Sequence, residues 1–157
     1  MIFHAVHLFP GVQIKFNKEC FHAPGGLGDL ATLFAPHGGL VFSASVEAGV
    51  CSVHAAAAGY GKSTQWQSWV NGGPTPDHGS HVDGFRSALR SVRWVPDFAA
   101  VHVVMKEPRY AGPIRGGLYT PEAQAAVRQA LLPLLRAMRQ KKDDRIFISG
   151  QGFSTRS

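Results

Sequence analysis

Two amphipathic helix patterns flank one mainly apolar run, and this constrains the fold of the 157-residue chain more than any other feature. Phe85, Leu89 and Val92 recur at i, i+4, i+7 within 80–92, which is one apolar stripe of helical period. Ser80 reads as the N-cap, with Asp83 three residues on in a capping-box-like arrangement. Residues 98–105 are apolar except for His102, the pattern of a strand buried on both faces. The second helix opens at Thr120-Pro121-Glu122, with Thr as N-cap, Pro at the first helical position and an acid in the first turn. Its predicted core face is Val127, Leu131, Leu134, Leu135 and Met138, and Pro133 is expected to kink or split it. Residues 145–149 read as a last strand.

The first half is less regular. Residues 2–9 and 12–16 read as strands around Pro10-Gly11, and their proximity suggests a hairpin. A short helix is expected over 29–35. Residues 40–46 and 50–56 look like strands, although the alanines from 55 to 58 suit a helix equally well. Residues 63–70 are expected as a third antiparallel strand, and 71–79 as a mobile Pro/Gly loop. The implied architecture is α+β: a mainly antiparallel sheet with about three helices packed on it, in a single globular domain over 1–157.

A hydrophobic content of 45% is that of a folded chain with a core large enough to stand without metal or disulfide staples. No apolar run is long enough to span a bilayer, and the opening MIFHAVHLFPG has no basic flank of a signal peptide. Cys20 and Cys51 lack CxxC spacing, and their pairing stays open. A reducing, cytoplasmic compartment is the expectation.

Charge is unevenly divided. Residues 1–85 carry a net −2, whereas residues 86–157 carry ten Arg and three Lys against five acids, a net +8. Such a field attracts phosphates and other anions and is screened by salt. Arg86, Arg90 and Arg93 fall at i, i+4, i+7 beside the apolar stripe, and arginine's planar fork suits phosphate. Arg109, Arg115, Arg136, Arg139, Lys141 and Lys142 extend the predicted phosphate- or nucleic-acid-binding set. Trp66, Trp69, Trp94 and Tyr110 offer faces on which unpaired bases could stack.

Other constellations point to hydrolysis. His78, His81 and Asp83 lie within PDHGSHVD, ligand types at close spacing, and an imidazole there could transfer protons. No third histidine or cysteine frames them, so no metal is assigned. Cys51 opens SVHAAAA; if that segment is helical, the dipole favours its thiolate, and His102 could face it as base. VCSVHAAAAGYG and VHVVMKEP resemble the cysteine helix and histidine strand of papain-like peptidoglycan amidases. Val50 stands where that family has a polar residue, and the orienting third group has only Glu107 as candidate. GYGKS has the end of a P-loop but not its first glycine, which is Ala56 here. KEPRYAGPIRGG resembles the pyrophosphate loop of GNAT acetyltransferases, without the helix that should follow at once.

The expectation that follows is a basic domain engaging a polyanion, RNA or DNA, with metal-independent nuclease activity as an extension and no cofactor. The alternatives are a small hydrolase using Cys51/His102 or His78/His81/Asp83, and a non-catalytic component of a homo-oligomer or larger assembly.

Overall fold

The computed structural model describes residues 8, 13–16, 19–22, 26–34, 40–113 and 115–150, with side chains described at 8, 26–34, 40–113 and 115–139. Strands β1 (Gln13–Phe16) and β2 (Glu19–His22) form an antiparallel pair. Helix α1 (Leu27–Phe34) precedes β3 (Val41–Glu47), β4 (Ser52–Ala58), β5 (Gln65–Val70) and the two-residue strands β6 (Gly73–Pro74) and β7 (His78–Gly79). Then come α2 (Ser80–Ser91), β8 (Phe98–Val104), β9 (Gly117–Leu118) and the long α3 (Pro121–Gly150). The main sheet has the order β3-β4-β8-β5-β6, antiparallel except where β5 runs parallel to β8. The α+β class and the central apolar strand 98–105 are therefore as the sequence implies.

Both faces of the sheet are covered. On one, Val53, Ala55, Ala57, Ala99, Val101 and Val103 pack under α2 and α3. On the other, Ala56, Ala58, Phe98, Ala100 and Trp69 pack under Leu27, Leu30 and Ala31 of α1. This settles the alanine run as strand. Despite alanine's helix propensity, all four residues are buried between β3 and β8, where small side chains admit helices on both faces. At Gly84 helices α2 and α3 meet so closely that a Cβ would lie 2.5 Å from the Gln124 carbonyl oxygen.

Several expectations are corrected. β1 pairs with β2; of residues 2–9, expected as its partner strand, Leu8 is helical and the others lie outside the described residues. β5 is separated from β4 by β8 and runs parallel to it, because the connection through β6, β7 and α2 is long enough to return the chain. Ser80 caps no helix end; Gly79 occupies that position, and Ser80 Oγ bonds to β9 instead. Helix α3 continues through Pro133, whose ring is exposed, so the unpaired carbonyl four residues earlier can turn to water. Residues 145–149 belong to this helix and form no strand. Leu132 is buried in the core, whereas Leu134 is 40% exposed.

Candidate functional site

Residues 109–113 and 115–119 form the two arms of a hairpin between β8 and α3. Tyr110 and Leu118 pair across it, Tyr119 N–H donates to the Arg109 carbonyl at 2.7 Å, and Ala111 N–H to the Gly117 carbonyl at 3.0 Å. At its base, Thr120 Oγ1 accepts from Arg109 N–H at 3.1 Å. Arg115 lies near the tip, exposed, with its guanidinium carbon 5.5 Å from the centre of the Tyr110 ring. It makes no ion pair among the described residues.

The hairpin is docked on the segment before α2. β7 pairs in parallel with β9, Asp77 N–H donates to the Gly116 carbonyl at 2.7 Å, and Ser80 Oγ donates to the Leu118 carbonyl at 3.2 Å while accepting from Thr120 N–H at 2.8 Å. A side chain at Gly79, whose φ is +117°, would run into the Leu118 backbone.

A buried polar knot lies beneath. Ser68 Oγ donates to the Thr75 carbonyl at 2.9 Å, and sits 2.7 Å from Thr75 Oγ1 and 2.8 Å from His78 Nδ1. Thr75 Oγ1 is in turn 3.2 Å from His81 Nε2. One proton arrangement satisfies every link: His81 Nε2–H to Thr75, Thr75 O–H and His78 Nδ1–H to Ser68, and Ser68 O–H to the Thr75 carbonyl. Burial pushes the His81 imidazole down to about 3, and the neighbouring His78 and His102 act in the same direction. The segment expected to be a mobile loop is thus tied at Asn71, Thr75, Asp77 and His78.

Between knot and hairpin lies a cleft of about 500 Å³, lined in part by Asn71, Thr75, Lys106, Glu107, Tyr110 and Arg115. Two cations against one carboxylate leave these residues net positive, although the Asp77 carboxylate also approaches the hairpin backbone at Gly116. A second cleft of about 870 Å³ shares Lys106 and Glu107 and reaches Cys51, Arg109 and Glu122. There Arg109 pairs with Glu122 at 2.7 Å. Glu122 is held below the usual carboxylate range by a backbone N–H and then by Arg109.

The histidine and cysteine candidates do not assemble into reaction centres. His81 is fully buried in the knot, whereas Asp83 is exposed and faces Arg86, so the two diverge; among the described residues no three metal-ligand side chains cluster. Cys51 belongs to the core under α3, while His102 points to the other face of the sheet, stacked at 5.7 Å on His54 and accepting from Gly72 N–H at 3.0 Å. A dyad through the sheet is excluded. Cys51 precedes a strand, so no helix dipole acts on it. Burial, with the Glu47 charge, pushes its thiol up, and it is a free cysteine.

The arginine stripe is also partly occupied. Arg86 lies 5.2 Å over Trp66 and 3.5 Å from Asp83, and Arg93 stands beyond the end of α2 with φ +55°. Arg90 and Arg136 are exposed on α2 and α3, and Arg139 is half-buried. The side chains of Lys141 and Lys142 lie outside the described residues. Trp69 and Trp94 are buried, and Trp94 Nε1–H donates to the Gly59 carbonyl at 2.8 Å, so neither offers a face to a base.

Sequence reasoning missed Ser68, Asn71, Thr75 and Lys106. Their partners lie in other elements, and the local signal, Asn-Gly-Gly-Pro-Thr-Pro, reads only as a turn.

No protein-family model matches the chain. The B-subunit of DNA topoisomerase 4 from Bartonella bacilliformis is 29% identical over 165 aligned positions, which cover 80% of this chain and 24% of that protein. Among solved structures, the B-subunit of DNA gyrase from Myxococcus xanthus superposes with a TM-score of 0.72 and 23% identity, covering 84% of this chain and 52% of the other. The 43K ATPase domain of Thermus thermophilus gyrase B gives 0.72 and 23%, covering 89% and 47%. The topoisomerase IV ATP-binding domain of Francisella tularensis gives 0.66 and 20%, covering 88% and 48%. The chain thus spans about a quarter of the curated relative and about half of each solved chain. These likenesses overturn the expectation of a basic RNA- or DNA-binding domain with nuclease activity. The fold is that of regions named for ATP binding and hydrolysis.

Proposed function

We propose that the chain is a portion of an ATP-binding and ATP-hydrolysing region of the kind found in gyrase B and its topoisomerase IV counterpart. The observation that carries this reading is the superposition of 84–89% of the chain on gyrase B structures at a TM-score of 0.72. The chain covers about half of each of those structures, and on this reading the working unit is a larger assembly. A cytoplasmic setting follows from the same reading, since ATP is abundant there.

On this reading the portion's own contact with nucleotide is Arg115, supported by Lys106 across the smaller cleft. An exposed guanidinium steadied on a tyrosine face, with no ion pair among the described residues, is suited to a terminal phosphate. The test is a calorimetric titration of the chain with Mg·ATP. Saturable binding that weakens about tenfold in Arg115→Ala is expected from the loss of one charge-assisted hydrogen-bonding group. Absence of saturable binding, or equal affinity in the variant, would sink the reading.

A further inference from the structure

We propose that Thr75 is a positioning residue for Arg115: its buried hydroxyl ties β5 and α2 to the segment that docks the hairpin, and so sets where the guanidinium stands. This rests on the reading of Arg115 as a phosphate contact, but its physical basis is independent of any ligand.

Thr75 is 2% exposed, and each of its polar groups is engaged. Its N–H donates to the Ser68 carbonyl at 2.9 Å, and its carbonyl accepts from His78 N–H at 2.9 Å and from Ser68 Oγ. Its hydroxyl bridges Ser68 on β5 and His81 on α2. His78, two bonds from that hydroxyl, is the residue that pairs with Gly117, and Asp77 beside it holds Gly116, the residue after Arg115. The path from the core to Arg115 therefore runs through backbone hydrogen bonds whose near end the hydroxyl chain ties to β5 and α2, beside the backbone bond from Thr75 to Ser68, while Ser80 Oγ holds the hairpin separately at Leu118 and Thr120. His78 needs that support, because its φ of +61° is costly for a residue with a side chain. His81 reinforces it: among the described residues its buried Nδ1 has no hydrogen-bond partner, and the Nε2 link to Thr75 is the polar bond seen for the ring.

Packing alone would explain a buried threonine equally well, so the test removes the hydroxyl while keeping the shape. Trypsin cleaves after Arg115, and because Gly117 and Leu118 behind it are buried, cleavage reports local opening of the docked hairpin. Mass spectrometry of the full-length chain under brief trypsin exposure would follow cleavage at Arg115 against cleavage at Arg86 and Arg90 within α2. In Thr75→Val, nicking at Arg115 should rise about tenfold with the helix sites unchanged, and Thr75→Ser should restore the wild-type rate. Wild-type nicking in Thr75→Val would overturn the proposal. So would a uniform rise at all three sites with a lowered melting temperature, since Thr75 would then be a general core residue. Titration of the same proteins with Mg·ATP separates the two readings. If the nicking difference appears while the wild type binds no ATP, the phosphate assignment fails and the positioning role stands.

Discussion

Asn71 and Met105 lie 34 residues apart and exchange two hydrogen bonds: Asn71 Nδ2 donates to the Met105 carbonyl at 2.9 Å, and Met105 N–H donates to Asn71 Oδ1 at 2.8 Å. The pair closes the ends of the parallel strands β5 and β8, just where Lys106 enters both clefts. Asn71 has φ +50°, a conformation asparagine tolerates better than most residues. Asn71→Ala should therefore cost about 2–3 kcal/mol, combining two lost hydrogen bonds with backbone strain. Asn71→Gly loses the same bonds but accepts the φ, so it should be the milder change. Urea unfolding would compare them, and equal costs would mean that strain plays no part.

Gly84 is the contact point of α2 and α3. A methyl group there meets the backbone carbonyl of Gln124, which cannot rotate away as a side chain would. Gly84→Ala should destabilise the protein by about 1–3 kcal/mol despite alanine's better helix propensity. A shift in urea midpoint with an unchanged m-value is the expected signature. A more stable variant would mean that the helices separate without cost.

Acid should unfold the protein through its buried imidazoles. His81 is depressed to about 3 by burial and its histidine neighbours, and His102 to about 4 by burial and by His54. Both are neutral when folded and take up protons near pH 6.5 when unfolded. Their contribution is thus fully present above about pH 6.5 and is lost as pH falls towards the folded values, by up to about 1.4 kcal/mol per pH unit for each ring. Denaturant midpoints from pH 7.5 to 4.5 would follow this, and His102→Gln should flatten the slope. An unchanged slope in that variant would remove His102 from the account.

Cys51 should behave as an inert thiol. It is 4% exposed, and burial raises its pKa. In a Cys20→Ser background, labelling by a thiol-specific disulfide reagent at pH 7.5 should be slow in the native state and immediate in guanidinium. Prompt native labelling would contradict this placement.

The elements legible in the sequence are those whose signal is local and periodic. The stripe Phe85/Leu89/Val92 is buried in and just beyond α2, and Thr120-Pro121-Glu122 begins α3. Ser80 shows the limit of such signals. Its sequence neighbourhood says N-cap, but a carbonyl and an N–H from residues 118 and 120 claimed its hydroxyl. Among the site residues, Arg109 and Arg115 could be singled out by residue type and loop position. Thr75, Ser68 and Asn71 could not, because each matters through a partner brought in by another strand or helix.

Periodicity and apolar composition by themselves determined that helices cover a sheet with residues 98–105 at its centre, since that pattern leaves few other ways to bury its stripes. Only the tertiary structure decided that Ala55–Ala58 is a strand, that β5 lies parallel to β8, that Cys51 and His102 face opposite ways, and that Arg86 is engaged by Trp66 and Asp83. Each of those depends on which elements become neighbours. A residue's secondary structure, partner and charge environment there are set by non-local burial, which outweighs the small differences in local propensity.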